Sequence, residues 1–134
     1  MATIETIYLG ELRTEATHVK SENKVITDAP TDNQGKGEAF SPSDLLTASL
    51  GSCMLTIMGI KANEQNISIE GTTCSMIKIM ATEPRRVSEI QVTFNFPVND
   101  FTEKQRTVLE RAAHTCPVAK SLHPDLIQNV IFNW

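Results

Sequence analysis

Residues 41–62 read SPSDLLTASLGSCMLTIMGIKA, and this stretch decides the fold. Ser41 offers a hydroxyl at a helix N-cap, Pro42 has the fixed φ suited to the first helical position, and Asp44 places an acid in the first turn. A helix therefore starts at Pro42 and runs to about Ala62, roughly five to six turns. Its apolar residues fall on nearly every face, and the small residues Ala48, Ser49, Gly51 and Ser52 let another backbone come close. Such a helix has to be covered on more than one side. Cys53 sits near its middle, on one face with Leu46, Ser49, Leu50, Ile57 and Ile60.

On either side of this helix the chain is rich in strands. Ile4 to Leu9, Leu12 to Val19 and Lys24 to Thr27 read as three extended segments, and Asp28 to Phe40, with Pro30, Asn33, Gly35 and Gly37, reads as a loop. Downstream, Ile67, Ile69, Ile77 and Ile79 recur with period two, as do Ile90, Val92, Phe94 and Phe96, which predicts two half-buried antiparallel strands joined by a turn at Glu83-Pro84. Thr102 and Gln105 form a capping-box signature ahead of Val108, Leu109, Ala112 and Ala113, an apolar stripe on a helix ending near His114. Pro117 starts a short helix, and Val130, Phe132 and Trp134 suggest a closing strand. The order β-β-β, long helix, β-β, helix, short helix, β is an α+β arrangement, expected as antiparallel sheets wrapped around two central helices. A chain of this size covers its central helix on one side only, so an intertwined homodimer is expected.

The 134 residues and 40% hydrophobic content fit one domain, 1–134. A net charge of −4, with Lys and Arg scattered apart from Arg85-Arg86, argues against nucleic acid or an anionic membrane as partner. The N-terminus lacks a signal-peptide pattern, and the run from Leu45 to Ile60 reads as too short and too interrupted to span a bilayer, so the expected location is cytoplasmic. In that reducing compartment three cysteines are not a structural disulfide framework, and any disulfide is transient and catalytic.

Two of the cysteines stand in contrasting settings. Pro117 pushes the residue before it out of the α-region, so Cys116 sits at an N-cap, where free N–H groups and the positive helix end favour thiolate. Cys53 lies among apolar residues, which disfavour a thiolate, and it becomes reactive only where the fold brings a cation to it. Cys74 reads as a bystander, and Met54, Met58, Met76 and Met80 read as core filler. His18, His114 and His123 have no third ligand at metal spacing, so no metal is expected. A cysteine hydrolase using Cys53 with His114 lacks an Asn or Asp orienter. A non-catalytic module that binds an apolar ligand stays open as the alternative.

Ser41-Pro42-Ser43-Asp44-Leu45-Leu46, then Ala48-Ser49-Leu50-Gly51-Ser52-Cys53, and Cys116-Pro117-Val118-Ala119-Lys120-Ser121-Leu122 about sixty residues on, resemble the two cysteine motifs of the OsmC/Ohr family. The likeness covers nearly the whole chain in element order. It implies an intertwined homodimer with active sites at the subunit interface that reduces organic hydroperoxides, with Cys53 attacking the peroxide, Cys116 resolving, and an external dithiol as reductant in place of any bound cofactor. The family's hydroperoxide-resistance branch also uses an arginine from the N-terminal strands and a glutamate directly after the motif proline. Arg13 is the only arginine ahead of the first motif and is the candidate for the former, or else an ordinary surface residue. Ser43 occupies the glutamate's place, so Asp44, one residue on, either substitutes for it or only caps its helix. Leu46, Leu50, Met54 and Ile57 around Cys53 would line a pocket suited to a lipophilic peroxide.

Overall fold

A computed structural model describes residues 1–134, in the order β1 (Ile4–Gly10), β2 (Arg13–His18), β3 (Lys24–Asp28), α1 (Pro42–Glu64), β4 (Thr73–Ala81), β5 (Arg86–Asn95), α2 (Glu103–Ala113), α3 (Pro117–Ser121) and β6 (Ile127–Asn133). The fold is α+β, as the order of elements predicted. By their internal contacts the residues divide into two units, Met1–Leu46 and Thr47–Trp134.

The N-terminal unit is an antiparallel sheet in the order β1-β2-β3. Gly10, Glu11 and Leu12 turn the first hairpin with positive φ values of 86°, 52° and 64°, a backbone state in which only the glycine is free of strain. The second hairpin sets Arg13 directly opposite Asp28. Between Ala29 and Phe40 the backbone folds back on itself: Gly37 N–H donates to the Ala29 carbonyl at 3.2 Å, and Glu38 N–H donates to the Asp28 carboxylate at 3.1 Å. Gly35 lies so close to Ala29 that a Cβ there would sit 1.7 Å from the Ala29 carbonyl oxygen, which leaves room for glycine alone.

The second unit holds the hydrophobic core. Its sheet has the order β4-β5-β6, with β4 antiparallel and β6 parallel to β5. The parallel pair needs a crossover, and α2 and α3 supply it. Leu50, Met54, Met58 and Ala62 of α1 pack with Ile90, Val92 and Phe94 of β5, Leu109 and Ala113 of α2, and Cys116 and Ala119. Each fully buried Leu, Met or Phe side chain contributes about 1.5–3 kcal/mol. Rings extend this core to the C-terminus: Phe94 stacks on Phe132 at 5.4 Å between centroids, and Phe96 stacks on Trp134 at 3.9 Å. The Trp134 indole N–H donates to Glu110 at 3.0 Å. The capping box expected at the start of α2 is formed, with Gln105 N–H donating to Thr102 Oγ1 and Thr102 N–H to Gln105 Oε1.

Two expectations are corrected. The alternation in β4 is real, but its isoleucines face outward: Ile77 is 60% and Ile79 38% exposed. β5 decides the matter. Cys74, Met76 and Lys78 stand opposite Phe94, Val92 and Ile90, the three fully buried side chains of β5, so that parity faces the helices. In addition, α1 is 23 residues long with a best-window mean hydropathy of 1.5, enough by length and composition to cross a membrane. A core helix passes the same test, and the Leu50–Met54–Met58–Ala62 face of α1 is spent on the sheet.

Candidate active site

The two cysteine motifs are each positioned by a helix start. At the head of α1, Asp44 N–H donates to Ser41 Oγ at 3.0 Å and Ser41 N–H donates back to Asp44 Oδ2 at 3.0 Å, a reciprocal cap that satisfies two otherwise orphaned donors. Asp44 therefore does cap its helix. Cys53 follows in the body of α1, half-buried and packed against the core cluster.

Cys116 is the N-cap of α3, in extended conformation (φ −62°, ψ 143°), with Pro117 next. Its sulfur accepts the Ala119 N–H at 3.2 Å. The side chain is fully buried in the cluster against which Cys53 packs, and Cys53 is near enough to influence its thiol. The expectation of a favoured thiolate at Cys116 is not met. Burial pushes the thiol up; the Ala119 and Val118 N–H groups pull it down, and the neighbouring Cys53 adds to the rise. The helix end acts as the local reading required, but desolvation of a fully buried sulfur outweighs it.

Arg13 belongs to the N-terminal unit and is tightly engaged there. Its Nε and Nη2 donate to the two oxygens of Asp28 at 2.7 and 2.8 Å, a bidentate pair, and Glu38 lies 3.8 Å from Nη2. That pair holds the Asp28 carboxyl below its ordinary value and raises the guanidinium. Asp28 and Glu38 are residues the sequence reading missed. The signal was a short β2–β3 hairpin whose register brings Asp28 opposite Arg13.

The apolar residues expected to line a pocket separate into two groups. Leu50 and Met54 are fully buried in the packed core, which removes them from any open lining, whereas Leu46 is 39% exposed and Ile57 half-buried. Cys74 is half-buried on the inward parity of β4 with its thiol pushed up by burial. His114 is exposed, its ring set edge-on to Phe132 at 6.1 Å.

Residues 35–128 match the family of OsmC-like proteins. The search of curated proteins found no match. A solved structure from Psychrobacter arcticus, provisionally described as an osmotic stress induced and detoxification response protein, is 54% identical, with 99% of this chain and 96% of that one covered and a TM-score of 0.95. An organic hydroperoxide resistance protein OsmC from Legionella pneumophila is 18% identical over 100% of this chain and 98% of its own, with a TM-score of 0.73. An organic hydroperoxide resistance protein from Elizabethkingia anophelis is 14% identical over 99% and 96%, with a TM-score of 0.75. With the family matched over most of its length and a relative sharing more than half of its residues, the chain belongs to the OsmC-like protein family.

Proposed function

We propose that the protein reduces organic hydroperoxides through Cys53 and Cys116, acting as a homodimer in the cytoplasm with an external dithiol as reductant. The observation that carries this reading is that two unlike thiols from separate elements share one cluster: a half-buried Cys53 on α1 packs against the core that holds a fully buried Cys116, the cap of α3, and influences its thiol. The Cys53 thiolate attacks the peroxide oxygen distal to the organic group. The O–O bond breaks, the alkoxide takes a proton and leaves as alcohol, and Cys53 is oxidised to sulfenic acid. Cys116 then attacks that sulfur, giving up its proton as it does so. An S–S bond forms, and the hydroxyl leaves with the Cys116 proton as water. A dithiol restores both thiols by exchange. The names of the Legionella and Elizabethkingia proteins point to the same substrate class.

The same proposal carries over roles for Arg13 and Asp44. Arg13→Ala is expected to slow peroxide reduction at least about tenfold, equivalent to roughly 1.4 kcal/mol in the barrier. Arg13→Lys should restore only part of the rate, since a point charge does not reproduce the bidentate fork. Asp44→Ala should cost about 1 kcal/mol as a lost cap. The exposed apolar side chains Ile4, Ile7, Tyr8, Leu9, Leu46 and Ile60 support the homodimer, which light scattering tests as a mass twice the 14.8 kDa of the chain. Stopped-flow mixing of the reduced protein with cumene hydroperoxide tests the activity. The expected trace shows fast consumption of one peroxide per Cys53, lost in Cys53→Ser; a trace unchanged by that substitution rejects the reading.

A further inference from the structure

Helix α1 contains two glycines, and they stand in opposite surroundings. A Cβ added at Gly59 meets nothing within 4 Å. One added at Gly51 would lie 2.5 Å from Met76 Sδ, 2.8 Å from Met76 Cε and 2.9 Å from Cys74 Sγ, all closer than carbon and sulfur tolerate. Glycine inside a helix costs about 1 kcal/mol relative to alanine. At Gly51 that cost coincides with the place where α1 is pressed against β4, and Gly51 is itself buried. Cys53 is two residues further along the same helix. Cys116, by contrast, is held by α3 and by its bond from Ala119.

We propose that Gly51, seated against Cys74 and Met76, is a positioning residue that sets how closely Cys53 approaches Cys116. The inference rests on the thiol-pair reading above. A helix moves as a rigid body over two residues, so bulk at Gly51 lifts α1 from β4 and carries Cys53 with it. Met76 can swing its terminal atoms aside, but Cys74 has a single side-chain torsion and stands opposite the fully buried Phe94 in the strand pair. A disulfide accepts Cβ–Cβ separations of only about 3.5–4.5 Å, so displacements of a fraction of an ångström count. Cys74 thereby has a part unconnected with its own thiol chemistry: it is the small side chain that lets the helix close.

The test is the equilibrium between the reduced protein and oxidised glutathione, in which two protein thiols and one glutathione disulfide give the Cys53–Cys116 disulfide and two glutathione thiols. Gly51→Ala is predicted to lower that equilibrium constant at least about tenfold. Adding Cys74→Ala to it, which removes the sulfur that cannot swing aside, should recover most of the loss. Gly59→Ala should leave the constant unchanged. Cys74→Val crowds the same contact from the strand side and should act in the same direction, which keeps the test open should Gly51→Ala fail to fold. An unchanged constant in Gly51→Ala and Cys74→Val, or a loss that Cys74→Ala does not recover, overturns the proposal. Failure of the parent protein to form the Cys53–Cys116 disulfide at any glutathione ratio overturns the thiol-pair reading instead, and this inference with it.

Discussion

In the N-terminal unit the residues that solvent hardly reaches are Thr27, Asp28 and Ser41, all polar, while Ile4, Ile7, Tyr8, Leu9, Leu12, Val25 and Phe40 are exposed. In the second unit the arrangement is reversed: Leu50, Met54, Met58, Ile90, Val92, Phe94 and Leu109 are fully buried. Both units contain a three-stranded sheet, but one is fixed internally by a bidentate ion pair and a hydroxyl contact between Thr14 and Thr27, the other by packed side chains. A small sheet with an apolar face left open is marginal alone. The contrast therefore assigns the intrinsic stability of the chain to the second unit, which also contains Cys53 and Cys116, and leaves the first dependent on charge and on whatever covers its apolar side chains.

The largest effect that tests this contrast is Phe94→Ala, expected to cost about 3–5 kcal/mol in the denaturant unfolding free energy. A loss under about 1 kcal/mol would mean that β5 is not the spine of the core. A smaller loss, confined to β1–β3, is expected from Asp28→Asn, which leaves Arg13 without its bidentate partner; amide exchange should quicken there and not in β4–β6. The same ion pair fixes an acid dependence. Because the folded-state Asp28 carboxyl is held below its ordinary value, its stabilisation is complete above the unfolded pKa of about 3.9 and is lost as pH falls through the lower folded value. Amide exchange in β1–β3 should therefore quicken below about pH 4, and in Asp28→Asn this acid-dependent step should be missing. Thr102→Ala should have the smallest effect, about 1 kcal/mol from the lost cap of α2, with the N-terminal sheet unaffected.

What could be read from the sequence was what is local. The starts of α1, α2 and α3 are encoded within four residues each, by Ser41-Pro42-Ser43-Asp44, Thr102 with Gln105, and Cys116-Pro117, and all three form as expected. Period-two patterns located β4 and β5 but not which face of β4 turns inward, because alternation is symmetric and the choice is made across the sheet by Phe94, Val92 and Ile90. The same limit applies to the site. The N-cap position of Cys116 is local; its complete burial, which reverses the expected direction of its titration, comes from α1 and the sheet. Leu50 and Met54 looked like pocket residues for want of the same information. Asp28 was read as the first residue of a loop, although β3 extends through it and pairs it with Arg13. The direction of β6 also lay beyond local patterning, since a parallel strand differs from an antiparallel one only in the path of the crossover before it.

The central claim, that Cys53 and Cys116 form one redox unit, is tested most directly by peptide mapping of the reduced protein after one equivalent of organic hydroperoxide. The account predicts a single new cross-linked species joining the peptide of Cys53 to that of Cys116, with the Cys74 thiol still free, and sulfenic acid trapped at Cys53 when Cys116 is replaced by serine. Oxidation centred on Cys74, or a Cys53 left reduced while peroxide is consumed, would contradict it.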